Sequence, residues 1–169
     1  MEDISWKIID IMFKKNKNLL IKHHIDSYND FFSKGIINIF KSLNPFHFFK
    51  QQIPKTNTYQ YSCKLYFGGK NGDKIYYGKP IVVDKENGKV NEQYMYPNIA
   101  RLRNMTYAFT IHYDIEIEYT IYVENGSGKS GMEGYNVQLI QDKIERVYLG
   151  RFPIMLQSNL CILKNLSPE

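Results

Sequence analysis

Cysteine is nearly absent from this chain of 169 residues, which has only Cys63 and Cys161. Two thiols so far apart form no metal-ligand pattern and no disulfide framework, so a small disulfide-stapled or zinc-held fold is excluded and both are expected as small core residues. No run of 18 apolar residues occurs, which excludes a membrane-spanning helix of the usual kind. The start lacks a signal-peptide pattern, because Glu2 and Asp3 lead into a mixed helix. A soluble, intracellular protein is expected. Charge of one sign is not strongly in excess: the net charge of +5 permits contact with nucleic acid without demanding it. Hydrophobic content of 43% and charged content of 23% exclude a disordered chain. The length suits one domain with a real core.

Two apolar stripes at helical spacing occupy the N-terminal quarter. Ile4, Ile8, Ile11 and Met12 form the first, and Lys14 to Asn18 is a polar break. Ile21, Ile25, Tyr28, Phe32, Ile36, Ile39 and Leu43 form the second, weakened at Gly35 and stopped by Asn44-Pro45. Residues 1–45 therefore read as a helical segment, and residues 46–57 as a linker. The remainder, within 46–169, alternates with the period of strands. Tyr59 to Phe67 and Ile75 to Val83 are two strands about the turn Gly68-Gly69-Lys70-Asn71-Gly72, and Asn87-Gly88 is a hairpin signal. From Tyr107 to Val123 every odd position but none of the charged even ones is apolar or aromatic, so one face is buried and the other wet. Such a strand would span about 55 Å, at roughly 3.3 Å per residue, and a bend or bulge is expected in it. Two further strands are expected at 135–141 and 145–152. Pro97-Asn98 can open a short helix with Ile99, Leu102 and Met105 on one side. The fold class is α+β, with N-terminal helices packed on a mainly antiparallel sheet as one structural unit.

Few residues assemble into chemistry. Gly-Ser-Gly-Lys-Ser at 126–130 has the tail of a phosphate-binding loop, but Val123 stands where its first glycine belongs and a strand pattern follows, so a turn is expected. His112, Asp114, Glu116 and Glu118 share a strand face. Ligands in a row about 7 Å apart do not converge on a metal, so a solvated acidic face paired with lysines is the expectation. His23, His24, Asp26 and Ser27 leave one helix in different directions and make no catalytic triad. His47 lies among Phe46, Phe48 and Phe49, where packing explains it. Arg101 and Arg103 flank Leu102 in the short helix. They can hold phosphate or carboxylate groups, or form structural ion pairs with the acidic strand, and spacing leaves both open.

Four segments, in order, carry a resemblance. Tyr96-Pro97-Asn98-Ile99-Ala100-Arg101-Leu102-Arg103-Asn104-Met105-Thr106-Tyr107 resembles the YPxEARLRNLTY segment of the second-largest, β-type subunit of multisubunit DNA-directed RNA polymerases. Ile4-Ser5-Trp6 followed by Phe13 resembles that family's opening helix. Leu20 to Phe32 resembles its QLDSFNxFI helix. Gly150 to Cys161, reading GRFPIMLQSNLC, is similar to GxIPIMLRSxxC. The segments look closer to eukaryotic, archaeal and large-DNA-virus subunits than to the bacterial one. Gln157 departs from the family's basic residue, and the GGYFIINGSEKV segment does not follow before Glu169.

The resemblance implies the N-terminal part of the protrusion, a wall of the DNA cleft. It implies a non-catalytic piece: no cofactor in this chain, with the catalytic magnesium expected in the largest subunit. Arg101, Arg103 and Arg151 are the expected nucleic-acid or structural contacts, with no catalytic and no metal residues. The implied partners are the other polymerase subunits, the remainder of the second-largest subunit, and DNA in the assembled complex, with no membrane. The implied location is the nucleus, or the host cytoplasm or virion if the chain is viral. The competing expectations are a phosphate-loop NTPase and a free-standing truncated interaction module.

Overall fold

The computed structural model describes residues 3–15, 18–52, 59–86, 89–124 and 135–165. Contacts divide the chain into two compact units, Met1–Ser33 with Ile154–Glu169, and Lys34–Pro153.

In the first unit α1 runs Asp3–Lys15 and α2 runs Lys22–Asp30. The lysines at the end of α1 favour its C-terminal dipole, and Lys14 pairs with Asp10 one turn back at 2.5 Å. Both partners are well exposed, so the pair adds a few tenths of a kcal/mol. The expected apolar stripe is present on α1, yet Ile4, Ile8 and Ile11 are each more than half exposed. In α2 the apolar positions Ile25 and Tyr28 turn inward, followed by Phe32. Buried Ile154, Ser158 and Cys161 belong to the same unit, and Asn29 Oδ1 accepts the Asn159 N–H at 2.8 Å. Burial pushes the Tyr28 hydroxyl upward, against the lowering effect of its bond to the Met155 backbone. A short 3₁₀ turn covers Ile162–Asn165.

A π turn at Phe31–Gly35 follows α2, and in the second unit α3 runs Ile36–Leu43. A π turn carries more residues per turn than an α-helix. Within α3 the buried positions are Ile36 and Phe40, whereas the expected Ile39 and Leu43 are about half exposed. The helix stops before Asn44 as expected.

The second unit is built around β6, Ala108–Glu124, which is antiparallel to every neighbour. One edge of β6 takes β2 (Tyr59–Phe67) and β3 (Ile75–Tyr77); the other takes β7 (Tyr135–Pro153). β1, Phe46–Gln52, pairs with β2 outside it. A separate two-stranded sheet joins β4, Ile81–Glu86, and β5, Lys89–Tyr94. Between β5 and β6 lies α4, Pro97–Leu102. Its Pro at the first turn lacks only an N–H that no helix bond would use.

Four expectations are corrected. The segment expected as a linker begins with β1, because Phe46, Phe48 and Phe49 favour the pleated surface of a sheet edge. The strand expected over 75–83 is two strands in different sheets. Gly78, Lys79 and Pro80 interrupt it: Pro80 has no N–H for a ladder, and Gly78 lies so close to the Thr110 side chain that a Cβ would collide. The two strands expected over 135–152 are one, continuous through 142–144. Leu102 is 83% exposed; the buried residue of α4 is Ala100, which packs with Val82, Met95, Ile99 and Tyr107. The irregularity expected in the long strand is present: register shifts occur at Ile111/His112 and Tyr113/Ile115. Asn87-Gly88 and the glycine-serine stretch at 126–130 lie outside the described residues.

The turn after β2 seats α3. Gly72 has φ +70°, and a Cβ there would sit 3.2 Å from the Ile37 carbonyl oxygen and from the Lys41 amide nitrogen. Only glycine provides both the left-handed backbone and the space. Asn44 then ties the helix end to the strand: its Nδ2 donates to the Phe67 and Gly69 carbonyls at 2.9 and 3.0 Å, and its Oδ1 accepts the Phe67 N–H at 2.8 Å. Phe40 completes the seat against Tyr113, with ring centroids 5.2 Å apart.

Candidate nucleic-acid interface

Surface electrostatics of the sheet unit divide into two regions. In the first, acids and bases neutralise one another. Glu116 pairs with Lys74, and Glu118 pairs with Lys70 at 2.5 Å while accepting from the Tyr66 hydroxyl at 3.0 Å. The Lys74 ammonium holds Glu116 below the usual carboxylate range, and that of Lys70 does the same for Glu118. This is the lysine-paired acidic face expected from the sequence. Among the described residues no group of three His, Cys, Asp or Glu could hold a metal ion.

Asp114 departs from that face. It is 1% exposed rather than solvated, because it sits in the bulge where β6 loses register with β7. Opposite it Arg146 takes φ +56°, and its N–H points at Asp114 Oδ1, 3.0 Å away. The Tyr76 hydroxyl donates to Oδ2 at 2.9 Å, and Lys143 Nζ lies 3.2 Å from the same oxygen. Burial alone would raise the carboxyl pKa, but these three donors outweigh it and keep Asp114 below its ordinary value. The Arg146 guanidinium lies 3.8 Å above the Tyr76 ring and covers the site. Nothing in the alternation of the sequence marks this node, since a bulge moves one residue across the sheet without changing the pattern around it.

The second region contains the three candidate arginines, Arg101, Arg103 and Arg151. Arg103 ends α4 and makes a two-pronged pair with Asp84 on β4, at 2.5 and 3.0 Å. Its guanidinium holds Asp84 below the usual carboxylate range. The ion pair is thus with β4 and not with the acidic strand face. Arg101, two residues earlier, is exposed and makes no side-chain hydrogen bond or ion pair with a described residue. Among the described residues Arg151 on β7 donates only to the Thr106 carbonyl, at 3.3 Å. It lines an open groove of about 730 Å³ together with Lys79, which the sequence did not mark. The three candidate arginines therefore differ: among the described residues Arg103 is paired with a carboxylate, and Arg101 and Arg151 are not.

An apolar groove of about 520 Å³ lies elsewhere on the sheet, lined by Phe48, Phe49, Tyr61, Cys63, Tyr119 and Ile140 among others. Cys63 and Cys161 are both free and buried, as expected. Burial pushes the Cys63 thiol upward, away from the thiolate. No described helix is long and apolar enough to cross a membrane.

Comparison with known proteins fits this arrangement to a family. The family described as RNA polymerase beta subunit matches residues 19–169. The chain is 29% identical over 169 residues to DNA-directed RNA polymerase subunit Rpo2N of Methanothermobacter thermautotrophicus (strain Winter), covering 100% of this chain and 26% of that protein. It is 33% identical over 156 residues to subunit Rpo2 of Saccharolobus shibatae, covering 92% of this chain and 10% of that protein. It is 28% identical over 170 residues to DNA-directed RNA polymerase II subunit RPB2 of Eremothecium gossypii, covering 96% and 13%. The chain spans about a quarter, or less, of the length of these relatives. It belongs to the RNA polymerase beta subunit family, as an N-terminal portion of the second-largest subunit.

Proposed function

We propose that this chain forms the N-terminal part of the protrusion in a DNA-directed RNA polymerase and helps to wall the DNA cleft. The family match over residues 19–169 carries the reading. The arginine-bearing segment 96–107 supports it, because α4 holds Arg101 outward on a buried Ala100 anchor while Asp84 fixes Arg103. In this role the chain has no active site of its own. Catalytic magnesium is supplied by the largest subunit, and the partners are the other polymerase subunits, the remainder of the second-largest subunit, and DNA. Arg101 and Arg151 would meet phosphate directly, and Arg103 would fix the segment that carries Arg101.

Exposed apolar surface favours this assembled role over a free-standing interaction module. Phe48, Phe49, Leu139 and Ile140 are each 44–72% exposed on the sheet unit. A self-contained module would present a more polar surface. The test is to express the tagged chain in its native cell and identify by mass spectrometry what is retained. Recovery of the largest polymerase subunit in stoichiometric amount is expected; recovery of the chain alone would overturn the reading.

A further inference from the structure

The groove beside Arg151 differs from every other charged surface of the sheet unit described above. Its lining contains two cations, Lys79 and Arg151, and no carboxylate. Among the described residues neither cation has an acidic partner. Lys79 donates to the Tyr94 hydroxyl at 3.1 Å, and Arg151 donates to a backbone carbonyl. By contrast Lys70, Lys74 and Lys143 are each paired with a carboxylate. Two uncompensated charges above one concavity make it a site for an anion that can reach both.

Other residues of the lining narrow the anion. Ile81 and Val83 give the groove an apolar wall, 42% and 48% exposed. Tyr148 presents a ring that is 58% exposed, steadied by the His112 ring at 5.5 Å. Cations that follow a backbone, with an aromatic face for bases, are the combination by which proteins hold single strands without reading sequence. The groove, about 730 Å³, holds about one or two nucleotides, and only an unpaired base can stack on the Tyr148 ring. An acidic peptide would satisfy the cations and gain little from the flat ring.

We propose that the groove of Lys79, Arg151 and Tyr148 holds a short stretch of single-stranded nucleic acid, with phosphates on the two cations and a base against Tyr148. The proposal rests on the polymerase reading, and it turns a general wall of the cleft into a guide for one unpaired strand.

The test uses the whole chain and fluorescence anisotropy with three labelled probes: an oligothymidine of about 12 nucleotides, a duplex of equal length, and an oligoglutamate. The single strand is expected to bind most tightly. Losing both cations in Lys79→Ala/Arg151→Ala should reduce the salt slope by about 1.4, at about 0.7 for each single-strand phosphate. Tyr148→Ala should weaken binding about tenfold. The charge-matched Lys22→Ala/Lys41→Ala variant should leave both quantities unchanged, and Arg151→Lys should retain the slope. Circular dichroism of each variant separates lost binding from lost fold. Tighter binding of duplex or oligoglutamate, no binding to any probe, or equal slopes in the two double variants would overturn the proposal. Capture of the largest polymerase subunit is measured separately. Capture with no single-strand binding sinks this inference alone, whereas single-strand binding without capture sinks the polymerase reading and leaves a free single-strand-binding module.

Discussion

Replacing Asp114 by alanine removes the one acceptor on which β3, β6 and β7 converge. The Arg146 N–H, held in a left-handed turn by the bulge, then loses its partner in a site that the native carboxylate leaves 1% exposed. Leaving such a donor unsatisfied costs about 1–3 kcal/mol. The Tyr76 hydroxyl loses its acceptor as well. Lys143 is 40% exposed and also pairs with Glu145, so it returns to water cheaply and adds little. The sum is about 3 kcal/mol for Asp114→Ala. Asp114→Asn keeps an acceptor for the Arg146 N–H and loses mainly the charge-assisted part, so about 1.5 kcal/mol is expected.

Urea unfolding followed by far-UV circular dichroism measures both, and the midpoint should fall with the slope unchanged. Amide exchange along β6 and β7 localises the loss and guards against the two units unfolding separately. The pH dependence has a definite sign. The folded pKa of Asp114 lies below its unfolded value, so its contribution is complete above an unfolded pKa of about 3.9. That contribution is lost as pH falls through the lower folded value. Native protein should therefore lose its advantage over Asp114→Ala on acidification below about pH 4. An alanine variant within about 0.5 kcal/mol of the native chain, with an unchanged difference at pH 3, would refute the account of the node.

Two further outcomes follow from the same geometry. Gly72→Ala forces a Cβ against the α3 backbone at a positive φ and should cost about 2 kcal/mol in the same urea assay; a neutral result would show that the turn does not seat α3. The Arg103–Asp84 pair is two-pronged but partly exposed, so a double-mutant cycle should show little coupling, and strong coupling would mean the pair fixes the fold.

Much of the secondary structure was legible because helices and paired strands impose different periods on apolar residues. α2, the stop at Asn44, the proline-led α4 and the long β6 all followed from spacing. What spacing could not show was where a strand would be interrupted or prolonged. Gly78-Lys79-Pro80 broke the strand expected over 75–83 because of a close approach to Thr110, a residue more than thirty positions away in the chain. β7 ran through 142–144 because its partner β6 stayed beside it, and β1 formed because β2 offered an edge. At the candidate interface, the arginines were visible as residue types, but whether each was neutralised depended on Asp84 and Thr106, which only the fold brings to them.

That dependence bears on how a charged surface acquires a function. A basic excess of +5 spread evenly would attract any polyanion weakly. Here the fold pairs four of the cations in the groove's own sheet unit: Lys70, Lys74 and Lys143 with the acids of β6, and Arg103 with Asp84. Ion pairs of this exposed kind contribute little stability, so stability alone does not explain their arrangement. Their larger effect is to silence the field over the acidic strand and over the base of α4. Of the cations that have no carboxylate partner among the described residues, Lys79 and Arg151 share one groove, and there they set the local potential. A long-range attraction summed over the whole chain becomes a short-range one at a chosen place, which is what a wall must have if it is to position a strand.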